Sequence, residues 1–179
     1  ARWIALVAVL GIAGVVATFA VMRRGDETCA LAPIASWTAA DRAALHARFV
    51  ALRPERGPDA ARDVLRDTDA WYARWRPARE AACRDRARLA CLELQERRVA
   101  TIGRVFREAD AALVERAPAI TATLPDPAAC GALASGPPSP AVRALEDRLA
   151  EARGLFDVGK FAETSAIAAE VMATAQADG

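Results

Sequence analysis

Residues Trp3 to Met22 form a run of twenty residues without a charge, bracketed by Arg2 on one side and by Arg23 and Arg24 on the other. As a helix rising 1.5 Å per residue the run would be about 30 Å long, the thickness of a bilayer's hydrocarbon core. Its one Trp stands at the end of the run, where an indole suits the membrane interface. A signal peptide would have a shorter apolar stretch and a small-x-small cleavage site. A buried soluble helix accounts poorly for Gly11 and Gly14 among Val and Ile, with Thr18 the only polar residue. Residues 1–24 therefore read as a transmembrane helix. Ala13 with Ala17, and Gly14 with Thr18, are small-xxx-small pairs that would let two such helices approach, so a homodimer through the span is a candidate.

Two signals compete over orientation. Arg23 and Arg24 favour a cytoplasmic C-terminal side. Against them stand Cys29, Cys83, Cys91 and Cys130, an even set confined to that side, with no C-x-x-C pair and no histidine at zinc-ligand spacing. Disulfides in an oxidising exterior explain that set best, although buried thiols serving as small hydrophobes would also fit. The reading adopted is a single-pass membrane protein with residues after 24 extracytoplasmic. Four cysteines allow three connectivities. In one continuous helix Cys83 and Cys91 would lie about 12 Å apart, so bonding them requires a chain reversal, and Arg84 to Ala90 contains no Gly or Pro. The preferred set pairs Cys83 with Cys91 across a helix hairpin and Cys29 with Cys130.

Beyond a juxtamembrane linker at 25–35 the pattern is helical throughout, and the fold class expected is all-α. Ser36 or Thr38 can cap a helix carrying Leu45, Phe49 and Leu52, ended by Pro54, Gly57 and Pro58. A long helix from near Asp59 carries Val64, Leu65, Trp71, Tyr72 and Trp75, with Pro77 as a kink or break. From about Leu89 a third helix holds Leu92, Val99, Ile102, Val105 and Phe106, and Leu113, Val114 and Ile120 continue it or form a fourth. Residues 36–124 make up this helical region. Residues 125–140 hold five prolines and two glycines and read as a joint between units. Residues 141–179 then form a helix hairpin, with Ala141–Val158 and Phe161–Ala175 on either side of Gly159. Its turn, Gly159-Lys160-Phe161-Ala162-Glu163, with small residues at Ala152 and Ala168, resembles that of a tetratricopeptide repeat. Thr164 stands where such repeats usually have Ala, and the first helix lacks an early Trp. The hairpin's apolar face needs neighbours, so continuation of the chain beyond Gly179 is expected.

Taken in order, the motifs resemble a known family. The span is followed by Cys29, then by a Trp-bearing helix ending in Glu80-Ala81-Ala82-Cys83, then by Leu89-Ala90-Cys91-Leu92-Glu93. Ala109 to Ala117, the Leu124-Pro125 to Ala129-Cys130 turn, the proline-rich joint and the hairpin complete the series. This looks like the region after the kinase domain in bacterial, myxobacterial-type receptor serine/threonine protein kinases with tetratricopeptide repeats. The resemblance implies a cytoplasmic kinase domain before Ala1, a span of the inner membrane, and an extracytoplasmic region that binds a protein or peptide. The Cys83 to Cys91 interval is shorter here than in that family.

No catalytic residue is nominated. The chain has no Gly-rich phosphate loop, no His-Arg-Asp loop and no Asp-Phe-Gly, and Phe156-Asp157-Val158-Gly159 reads as a helix end with Asp157 a solvated charge. His46, the only histidine, stands apart from any ligand cluster, and no metal or cofactor is expected. Glu146, Asp147 and Glu151 read as the wet face of a helix, with Arg143 at interacting distance along it. Twenty-four Lys and Arg against twenty-three Asp and Glu give no electrostatic case for nucleic acid. All but one of those basic residues are Arg, and the Ala, Arg and Pro content points to a GC-rich bacterial genome. Trp71, Tyr72 and Trp75 are either core or an interaction surface. Two functions follow: an anchor and extracytoplasmic sensor or protein-interaction region of a kinase receptor, or a stand-alone membrane-tethered tetratricopeptide-type scaffold. Kinase motifs upstream of Ala1 would separate them.

Overall fold

The computed structural model describes residues 36–131 and 139–178. The apolar run, the linker, Cys29 and residues 132–138 of the joint lie outside the described residues. Among the described residues there are six α-helices and no strand, and no helix is long and apolar enough to cross a membrane. The helices are α1 (Ala39–Leu52), α2 (Gly57–Ala81), α3 (Arg86–Arg107), α4 (Ala111–Thr121), α5 (Pro140–Asp157) and α6 (Phe161–Asp178), with a 3-10 turn at Pro127–Gly131.

Local chemistry sets most of these boundaries. Thr38 caps α1: its hydroxyl accepts from the Asp41 backbone N–H at 3.2 Å, while the Asp41 carboxylate accepts from the Thr38 backbone N–H at 2.8 Å. This reciprocal capping box satisfies two donors the first turn would leave unpaired. Pro58 sits in the first turn of α2, where a missing N–H costs nothing. Pro77 does not break α2, which runs on to Ala81. The carbonyl left without its partner belongs to Ala73, an exposed residue that water can serve. Asp85 caps α3 by accepting from the Arg88 N–H at 3.1 Å, starting that helix earlier than its apolar pattern predicts. Asp110 does the same for α4, so Leu113, Val114 and Ile120 belong to a fourth helix.

The core is built from Leu45 and Phe49 of α1, Val64 and Trp71 of α2, Leu92 and Phe106 of α3, and Val114 of α4, all essentially inaccessible to water. Phe49 and Phe106 meet edge to face at 6.0 Å. The hairpin at 141–179 is not set apart by the joint. Residues 33–179 form one compact unit, and α5 packs extensively against α3. Gly154 permits that crossing: a Cβ there would lie 2.9 Å from the Arg98 carbonyl oxygen and from the Thr101 Cβ. Gly159 turns the chain into α6 at φ +83°. The N–H of Gly159 donates to the Phe156 carbonyl and that of Lys160 to the Leu155 carbonyl, which is the Schellman ending of a helix. Thr164, the departure from the repeat pattern, donates its hydroxyl to the Lys160 carbonyl at 2.9 Å and lies 3.4 Å from the Ala152 carbonyl of the facing helix.

Two outcomes are expected. Gly154→Val, which forces the α3–α5 crossing apart, should lower unfolding free energy by about 1–3 kcal/mol in denaturant titration. Asp41 is held below the usual carboxylate range, first by the Thr38 side-chain hydrogen bond, then by the Thr38 backbone N–H, with Arg107 assisting. A folded-state pKa below the unfolded one contributes stability at neutral pH that is lost as pH falls through it. The stability gap between the native chain and Asp41→Asn should therefore be full at pH 7, begin to shrink as pH falls through the unfolded value of about 4, and vanish only below the lowered folded-state pKa.

Candidate functional site

The aromatic residues of α2 belong to the core. Trp71, Tyr72 and Trp75 are 0%, 5% and 5% exposed, which decides between their two readings for the core and corrects the interaction-surface alternative. Their spacing puts the three rings on one face, where Trp71 meets Tyr72 edge on at 4.9 Å and stacks near Trp75 at 6.0 Å. Each buried indole has found an acceptor. Trp71 Nε1 donates to the Pro125 carbonyl at 2.6 Å and Trp75 Nε1 to the Leu92 carbonyl at 2.8 Å. Burial raises the Tyr72 phenol above its ordinary range, opposed by the Ser36 hydrogen bond and reinforced by Glu96. The three polar groups form a cluster in which Ser36 Oγ donates to Glu96 Oε1 at 2.5 Å and lies 3.1 Å from the Tyr72 hydroxyl.

The cysteines join differently from the preferred set. Cys91 of α3 is bonded to Cys130 of the 3-10 turn, with Cα atoms 5.7 Å apart. The chain does reverse between Cys83 and Cys91, because α2 closes at Ala82 and the Asp85 cap starts α3 three residues later, without Gly or Pro. After that reversal Trp75 and Trp71 draw the Pro125 segment against α3, which sets Cys130, fully buried, beside Cys91. Both preferred pairings, Cys83 with Cys91 and Cys29 with Cys130, are thereby corrected. Cys83 is itself disulfide-bonded, and Cys29 lies outside the described residues.

Of the charges read as the wet face of α5, Arg143, Asp147 and Glu151 join α5 to α3. Asp147 Oδ2 accepts from Arg97 Nη1 at 2.7 Å, Glu151 pairs with Arg104 at 3.6 Å, and Arg143 pairs with Glu93 at 3.6 Å. Asp157 is not a solvated charge: it is only 13% exposed, bonded by Arg98 at 2.5 Å and neighboured by Arg153 at 3.6 Å. Arg148 links the hairpin, reaching Glu151 at 2.5 Å and Glu170 of α6 at 2.6 Å. That hydrogen bond from Arg148 is the first cause of a lowered Glu170 pKa.

Beside this seam opens a cleft of about 450 Å³. Its walls include Arg97, Thr101, Arg104 and Arg107 from α3 and Asp147 and Glu151 from α5. Residues 97, 104 and 107 fall on one stripe of α3, and the small Ala100 and Thr101 between them leave the space open. The signal was present in the sequence as arginines at i, i+7 and i+10, but in an arginine-rich chain the spacing alone does not reveal what faces it. His46 is exposed on α1. Among the described residues no group of His, Cys, Asp and Glu is placed to hold a metal ion.

On the far side of the hairpin Val142, Leu149 and Phe156, spaced seven apart on α5, are about half exposed, as are Phe161 and Met172 of α6. The hairpin thus buries one face on α3 and leaves an apolar stripe open. Comparison with models of known families, with curated proteins and with solved structures found no match.

Non-reducing peptide mapping is expected to recover Cys91 linked to Cys130, and a Cys83–Cys91 crosslink would overturn the assignment. Replacing both Cys91 and Cys130 by Ser should cost about 2–4 kcal/mol of stability, the usual effect of opening a loop of this size.

Proposed function

We propose that this chain is the non-catalytic membrane anchor and extracytoplasmic sensor or protein-interaction region of a bacterial receptor serine/threonine protein kinase with tetratricopeptide repeats. What carries the extracytoplasmic part of the reading is the disulfide between Cys91 and Cys130. Such a bond, joining two separate elements of a helical core, persists in an oxidising compartment and is rare in a reducing cytosol. A span at residues 1–24 then leaves the helical region outside the inner membrane, and the resemblance supplies the kinase on the other side. The function is one of binding. A bundle whose hairpin is covered on one face and apolar on the other suits stacking of further repeats or a protein partner. The cleft at the α3–α5 seam offers a second place of contact, where occupancy would bear directly on the pairs that hold the hairpin to the bundle.

Topology is tested by labelling the full native chain in intact spheroplasts with a membrane-impermeant thiol reagent, with and without prior reduction. Labelling that appears only after reduction is expected. Labelling that requires permeabilised membranes would place these residues inside and remove the receptor reading.

A further inference from the structure

We propose that the tip of the bundle, where α2 reverses into α3, rests on a membrane, its arginines binding the phosphates of anionic phospholipid headgroups. The proposal rests on the reading of residues 1–24 as a span and names the surface that the helical region meets.

Residues 74–88 carry six arginines against two carboxylates, Glu80 and Asp85, in a chain whose net charge is only +1. Arg79 is committed, pairing with Glu93 at 3.4 Å and lying 5.9 Å from the centre of the Trp75 ring. Arg74, Arg76, Arg84 and Arg86 are exposed, and their side chains have neither an ion pair nor a hydrogen bond among the described residues. The contrast runs along a single helix, since Arg97, Arg98, Arg104 and Arg107 farther along α3 are each paired with a carboxylate. Of the two acids at the tip, Asp85 is engaged in capping α3 through the Arg88 N–H. Arg74 and Arg76 lie within about 10 Å of the end of α2, on opposite flanks because two residues turn a helix through about 200°. Arg84 lies in the reversal and Arg86 opens α3, so the four surround the tip.

Local folding does not explain this arrangement. The first turn of α3 holds no acidic residue, and Arg86 and Arg88 there are repelled by the positive end of the helix dipole. An anionic surface against the tip changes the sign of that effect, because the dipole and the guanidiniums attract it together. Guanidiniums bond phosphate oxygens in pairs, and the alanines between them, Ala78, Ala81 and Ala87, hold no headgroup off. The tip is a convex reversal, which fits a broad surface better than an enclosed small ion. A membrane is the anionic surface within reach. Twelve residues lead from Arg24 to Ser36, about 40 Å at full extension. Ser36 Oγ lies 3.1 Å from the Tyr72 hydroxyl, so the chain enters the bundle one turn of α2 from Arg76. A tether this short keeps the arginines at high effective concentration over a bilayer that holds the span, and individually weak headgroup contacts then add.

The test reconstitutes the full chain in nanodiscs of phosphatidylcholine alone and of phosphatidylcholine mixed with phosphatidylglycerol, and follows arginine modification by phenylglyoxal with peptide mass spectrometry. Arg76, Arg84 and Arg86 are expected to react about fivefold more slowly on the anionic discs, the effect of holding a basic residue at a charged surface. High salt should erase the difference. Arg56, exposed and without an ion pair at the opposite end of α2, should react equally on both discs. In Arg84→Gln/Arg86→Gln, which changes two exposed positions, Arg76 should lose its protection. Equal rates on the two discs, or a slowing that Arg56 shares, would overturn the proposal. So would protection of Arg76 by polyglutamate on neutral discs with none on anionic discs, which would make the tip a site for an acidic protein partner. Retention on neutral discs reports the span. A chain retained only by anionic discs, with Arg76 protected, would remove the span and keep the headgroup contact, so the two readings fail separately.

Discussion

An indole N–H that leaves water must find an acceptor, and α2 buries two of them. Trp75 finds the Leu92 carbonyl and Trp71 the Pro125 carbonyl, and those acceptors lie on different elements. The first pins α3 against α2 after the reversal at Asp85. The second brings the chain after α4 back across the same helix, where Cys130 meets Cys91. Each bond is modest in net energy, about 0.5–1.5 kcal/mol, but an unpaired buried indole would cost more than the bond returns. The disulfide and the 3-10 turn stand where these two bonds bring the chain together.

That receiving face works by a different chemistry. The α3–α5 contact has a close backbone crossing at Gly154 and a set of arginine–carboxylate pairs around it. Exposed pairs of this kind contribute little individually, about 0–1 kcal/mol, so their value lies in setting the register of one helix on the other. Arg98 and Asp157 differ because Asp157 is nearly buried, where loss of its partner would strand a charge in a poor solvent. The seam therefore combines a fixed crossing with a row of exchangeable ion pairs.

Much of the local structure was legible in the sequence. The first helix, the second from near Asp59 and the hairpin around Gly159 followed from apolar period, caps and punctuation, whereas the passage of the second helix through Pro77 and the separation of the fourth helix from the third were left open. The start of α3 was misplaced because the Asp85 cap begins the helix at Arg86, three residues before the apolar pattern begins at Leu89. The cleft was not legible. Asp147 and Glu151 look like solvated charges on an amphipathic helix, and whether such a face meets water or an arginine row depends on which helix packs there. The arginines of α3 carried the right spacing, but their abundance hid it.

The sequence by itself determined the helical class, most helix ends, the turn at Gly159 and the twenty-residue apolar run, because each depends on residues within a few positions of one another. Tertiary structure alone decided the partner of Cys91, the burial of Trp71, Tyr72 and Trp75, and the meeting of Arg97 with Asp147. Those outcomes depend on which elements cross and at what height along their axes. Helical periodicity says which residues share a face; it says nothing about the face opposite.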